Sequence, residues 1–171
     1  MSGIVQKPVV VSTRRRARSI DGVLVGLVAA IVSTLILLLA GALTGRGLGL
    51  LADAGMAALP STVQSATGAS AALSYMLSHT LVYMLAGIVA LKLAGLADRV
   101  PPLVAGLLLV IIILEFGFLE FTTESLASGR IDAVTWRSVL IAHAIGDLVF
   151  AFGIVRAHPS LRQALVRGFE W

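Results

Sequence analysis

Four stretches of the chain are apolar almost without interruption, and polar or charged residues collect between them. A helix rises about 1.5 Å per residue, so about 20 apolar residues cross the roughly 30 Å hydrocarbon core of a bilayer. Residues 22–43, 70–91, 101–121 and 136–155 meet that length. The first span carries no charge, the second contains His79, the third has Glu115 well inside it, and the fourth contains His143 and Asp147. Pro101 and Pro102 suit a helix start, where a missing N–H costs nothing, and His158-Pro159 suits the exit of the fourth helix. The pattern predicts an all-α integral membrane four-helix bundle forming one domain over residues 1–171.

The connections carry weaker periodicities. Residues 44–69 form the longer loop, in which Leu48, Leu51, Ala54, Gly55, Ala58 and Leu59 recur at helical spacing. This predicts a short helix in the membrane interface, ended by Pro60-Ser61. The second loop, residues 122–135, is polar around Ser128-Gly129, and Trp136 follows at an interfacial aromatic position. After Pro159, Ser160 can cap a short amphipathic tail over 159–171 that carries Leu161, Leu165 and Phe169.

Composition supports the membrane reading and removes alternatives. Of 171 residues, 58% are hydrophobic and 13% charged, and the mean hydropathy is +0.99. A soluble domain carries about 25% charged residues, so this chain lacks the polar surface a water-soluble globule needs. There is no cysteine, which excludes disulfides, thiolate metal sites and iron–sulfur clusters. No phosphate loop, nucleophile elbow or nucleic-acid motif appears, so no catalytic residue is assigned and nucleic acid is not an expected partner.

The net charge of +4 speaks first to topology. With a cytoplasmic N-terminus, Lys7, Arg14, Arg15, Arg16, Arg18, Lys92, Arg99, Arg156, Arg162 and Arg167 lie inside, and only Arg46, Arg130 and Arg137 lie outside. The positive-inside rule therefore predicts both termini of a multi-pass membrane protein in the cytoplasm. The apolar run after Arg14-Arg15-Arg16 exceeds the 7–15 residues of a signal-peptide core. The basic segment 1–20 reads instead as a topological anchor against anionic lipid.

Placing the intramembrane polar residues by depth is the informative step. At 1.5 Å per residue, Ser33, Thr34, His79, Glu115, His143 and Asp147 all fall within roughly 9–16 Å of the outer helix ends. His143 and Asp147 share a face at i, i+4, as do Tyr75, Met76, His79 and Tyr83. Charge facing lipid is costly, so these faces turn inward and form one polar layer in the outer half of the bilayer.

Such a layer supports three readings. His79, Glu115, His143 and Asp147 can hold a transition metal such as Cu, Zn or Fe, or His79 and His143 can be axial ligands of a haem b with room supplied by Gly87 and Gly146. Alternatively, Glu115 can hold a proton that a nearby His exchanges in an oligomeric proton- or cation-coupled carrier. Glu120 and Glu124 would then attract cations at the outer mouth. Thirdly, pairs such as His143–Glu115 and His79–Asp147 can simply bond helices together in an accessory subunit of a larger membrane assembly. Phe116, Phe118 and Phe121 read as packing residues, while Gly22-x-x-x-Gly26 with Ala30, and Ala86, Ala90 and Ala94, read as strips for close helix approach, within the chain or to a second copy.

His79 precedes Lys92, and His143 precedes Arg156, by the same 13 positions, which is the pattern of two tandem helical hairpins. The layout also resembles small four-helix bacterial inner-membrane proteins of the YagU-like type. That resemblance is carried by His79-Thr80-Leu81-Val82-Tyr83 with Gly87 and by Ala142-His143. It implies an inner-membrane location and leaves the chemistry open.

Overall fold

The computed structural model describes residues 19–58, 68–97, 118–120 and 123–158. The helices include α1 (Ser19–Leu43), α2 (Gly49–Ala58), α3 (Gly68–Ala97) and α4 (Ala133–Ala157), residues 118–120 and 123–127 are also helical, and the described residues contain no strand. The chain is all-helical in this sense, and α1, α3 and α4 are long and apolar enough to cross a membrane. Apart from residues 118–120, the expected third span lies outside the described residues. So do Glu115, Pro60-Ser61, the basic segment up to Arg18 and the tail after His158.

The helices are longer than the apolar windows alone predict because polar residues cap and extend them. α4 begins before Trp136: the Asp132 carboxylate accepts the Thr135 N–H at 2.7 Å, satisfying one of the open N–H groups of the first turn. At its other end His158 stands as the C-cap, its N–H donating to the Ile154 carbonyl, and Pro159 follows.

α1 is the central element. It lies between α3 and α4, which touch each other at only a few points. Lipid tails give apolar helices no hydrophobic reason to associate, so contact rests on close van der Waals fit. Gly22 and Gly26 of α1 meet the α3 backbone at Gly87 and Tyr83. A Cβ on Gly22 would stand 2.6 Å from the Gly87 carbonyl oxygen, and one on Gly26 would collide with the Tyr83 carbonyl. Beside that contact, Gly146 of α4 receives Ser33, and Gly153 receives Val25. Residue numbers rise on α1 as they fall on its neighbours, so α1 is antiparallel to both. α3 and α4 therefore run parallel, and residues 64 positions apart stand side by side.

α2 occupies the stretch with helical spacing and packs on α3, with Gly55 against the Ala71 backbone. Leu51 and Ala54 join Ala72, Leu37, Val139 and Ala142 in a buried cluster that closes this end of the bundle. Of the apolar stripe, Leu51, Ala54 and Gly55 are thus covered by protein, whereas Leu48 is exposed.

Candidate functional site

The polar layer assembles where α1, α3 and α4 meet, and its centre is Tyr83. The Tyr83 hydroxyl donates to Asp147 Oδ1 at 2.7 Å and stands 3.3 Å from His143 Nδ1. The other edge of the His143 ring, Nε2, lies 3.3 Å from Asp147 Oδ2. The i, i+4 spacing on α4 puts the imidazole and the carboxylate on one face. The parallel register of α3 brings the phenol to the same level. Gly146 makes this possible: a Cβ there would stand 3.0 Å from both Tyr83 Oη and Ser33 Cβ.

Aromatic rings surround the polar contacts. His79 stacks on Tyr75 with ring centroids 5.1 Å apart and meets Tyr83 edge-on at 4.8 Å. Its ring lies 6.5 Å from that of His143. Phe118 stacks on His143 at 3.7 Å, and Phe150 meets Tyr83 edge-on at 5.9 Å. Two buried polar atoms here have no hydrogen-bond partner among the described residues: His79 Nε2 and Ser33 Oγ. Ser78 and Ser138 instead bond back into their own helices at 2.8 Å.

The structure gathers His79, His143 and Asp147, as the depth argument expected, but pairs them differently. Asp147 bonds Tyr83 and His143 rather than His79, because its own helix face carries His143 and Tyr83 reaches it first. Glu115, and with it the expected His143–Glu115 pair, lies outside the described residues. No three His, Asp or Glu side chains among the described residues converge as a metal set. Of the two glycines named for haem space, Gly87 faces the α1 backbone at Gly22, and Gly146 faces Ser33 and Tyr83. Tyr83 is the residue the sequence left out of the site, although it shares a face with His79.

A second polar cluster ties the loop end together. Arg46, held in the turn after α1 between Gly45 (φ 70°) and Gly47 (φ 55°), bonds Asp53 of α2. It also donates to Asp132 Oδ2 at 2.7 Å and to Thr135 Oγ1 at 3.0 Å. The Thr135 backbone N–H, with smaller help from the Thr135 hydroxyl and the Arg46 guanidinium, holds the Asp132 carboxyl down at about 2. Nearby, exposed Glu124 stands 3.8 Å from Arg130, and Glu120 is exposed at the end of the 118–120 segment. Helical continuity between these two acids falls on residues outside the described set.

No known protein family, curated protein or solved structure matches this chain.

Proposed function

We propose that the chain is a small multi-pass accessory subunit of a membrane assembly, in which Tyr83, His143 and Asp147 act as a polar cross-link between α3 and α4. The observation that carries this reading is the Tyr83 hydroxyl, 2.7 Å from Asp147 and 3.3 Å from His143. It joins two helices that otherwise share little contact. A chain with short connections and wide apolar faces, such as Leu77, Leu81 and Leu85 on α3, suits a lipid- and partner-facing role. The parallel run of α3 and α4 supports four spans in tandem hairpins, the charge split supports cytoplasmic termini, and the YagU-like resemblance suggests a bacterial inner membrane.

The test is mild extraction from the native membrane followed by native-size analysis. The subunit reading expects comigration with a larger partner, and expects His79→Ala and His143→Ala to lower thermal stability. Migration as a lone chain whose stability ignores both substitutions would sink it. One observation favours a second reading, metal binding: His79 Nε2 is buried with no hydrogen-bond partner among the described residues. Metal analysis and an absorption spectrum decide it, since stoichiometric copper, zinc or iron, or a Soret band, appears only if that reading holds.

A further inference from the structure

We propose that the seam between α2 and α4 is a gate through which water reaches the polar layer, and that Arg46 is its latch. The loop-end cluster carries this, independently of the tie between Tyr83 and Asp147. The turn after α1 fixes the latch in place. The N–H groups of Arg46 and Gly47 both donate to the Gly41 carbonyl, at 2.8 and 2.9 Å, so the chain folds back on the end of α1. Gly45 and Gly47 supply the left-handed conformations this turn needs. Arg46 thus stands as a post on α1. Its guanidinium is a rigid planar fork, and the two prongs go to different helices. Nη2 pairs with Asp53 of α2, while Nη1 donates to Asp132 and Thr135 at the start of α4.

Little else holds the seam. α2 lies against α3, where Gly55 meets the Ala71 backbone, and touches α4 at only a few points. Its Leu51 and Ala54 share the buried cluster with Val139 and Ala142 of α4. Thr135, Val139, His143 and Asp147 follow one another at four-residue spacing along α4, about 6 Å per step. The first is bonded by Arg46, the second lies in the cluster that α2 covers, and the last two belong to the polar layer. Tyr75 and Phe118 pack on that same cluster, and their rings stack on His79 and His143. The line from latch to layer therefore runs beneath the seam. Arg46, Asp53 and Asp132 are all partly exposed, so water competes for their contacts and the latch is a weak one. Without it, only the apolar contacts of the cluster keep α2 and α4 together.

The chain has no cysteine, so one introduced thiol reports access without background. Val139→Cys puts it beneath the seam. Ile154→Cys puts it at the far end of the bundle, beside Ala90 and Leu91, at a similarly buried position. The full chain in liposomes is treated with a charged maleimide admitted to both sides. Both thiols should label slowly when Arg46 is intact. Arg46→Gln should speed labelling at Val139→Cys about fivefold or more, the change in open population that loss of a partly exposed ion-pair network gives. Ile154→Cys should keep its slow rate. Asp53→Asn cuts the α2 prong alone and spares the α4 cap. It should act as Arg46→Gln does, and it takes the place of that variant where Arg46→Gln does not fold. The proposal is overturned if Val139→Cys labels at one rate with and without the latch, or if neither latch variant folds. It is overturned too if both thiols speed up together, because Arg46 then supports the whole bundle rather than one seam.

Discussion

At the residue scale the informative side chain is Tyr83. Tyr83→Phe keeps the ring and its contacts with His79 and Phe150 while deleting one oxygen. The loss leaves Asp147 Oδ1 and His143 Nδ1 facing each other's vicinity without their shared partner. A hydrogen bond between membrane helices contributes about 0.6–2 kcal/mol, so a loss of about 1–2 kcal/mol in reversible unfolding from mixed micelles is expected. Ser78→Ala, which deletes an exposed hydroxyl bonded to its own helix, should change stability by less than about 0.5 kcal/mol. Half of this site was legible in the sequence. His143 and Asp147 share a face by spacing alone, and their depth matched His79. Tyr83 was not legible as the hub, because a tyrosine in an apolar helix reads equally as packing. Its role depends on how far α3 is rotated about its contact with α1, which no periodicity specifies.

At the element scale, close backbone approach holds α1 to α3, and glycine is the means. Gly26→Ala places a methyl into the Tyr83 carbonyl and must push the helices apart. Gly95→Ala adds the same methyl where nothing lies within 4 Å. The first should lower the thermal midpoint and loosen the Tyr83 contacts, and the second should leave it unchanged or slightly raised, since Ala is the better helix former. Comparison of the two midpoints in one detergent is sufficient. The strip on α1 was legible as Gly22-x-x-x-Gly26. Its partner was not: Gly87 and Tyr83 of α3 meet it at the crossing, and Ala90 and Ala94 of the second strip are buried alongside. A small-residue strip names the approaching face of one helix and leaves the rotation of the other open.

The cap of α4 adds a pH dependence at the same scale. The Asp132 carboxyl is held at about 2 against an ordinary 3.8. A depressed acid stabilises the fold above its unfolded value and loses that contribution as pH falls through the folded one. The Asp132 cap and its tie to Arg46 should therefore persist above about pH 4 and fail between roughly pH 4 and 2. Hydrogen exchange at the Thr135 amide, corrected for intrinsic rate, should accelerate through that window. Asp132→Ala should show the fast exchange at every pH and cost about 1 kcal/mol, the usual value of a helix N-cap. Exchange that is flat with pH in the parent would remove the assignment of Asp132 as the titrating group.

At the scale of the whole molecule, the direction of the helices constrains the path of the chain. α1 is antiparallel to α3, a reversal that residues 44–67 accomplish at one end of the bundle. α3 and α4 are parallel, so the C-terminus of α3 and the N-terminus of α4 lie at opposite ends. Each of these helices has at least 25 residues, a length of roughly 37 Å at 1.5 Å per residue. If α3 and α4 both cross the bilayer, the chain between Ala97 and Ala133 has to cross it as well, in the opposite sense. Its apolar stretch at 101–121 is the one segment suited to that, and Phe118 is already beside His143, part-way along α4. Four crossings put the two termini on the same side, whereas three would separate them. Reporters fused in turn to each terminus, one active only in the cytoplasm and one only outside, should both read cytoplasmic. A terminus on each side would mean that residues 98–132 return without crossing, and the lysine and arginine asymmetry would then need another origin. Sequence speaks to this topology because the prediction depends only on the sum of charges at each face. It carries the site poorly because the site depends on one rotation and one register.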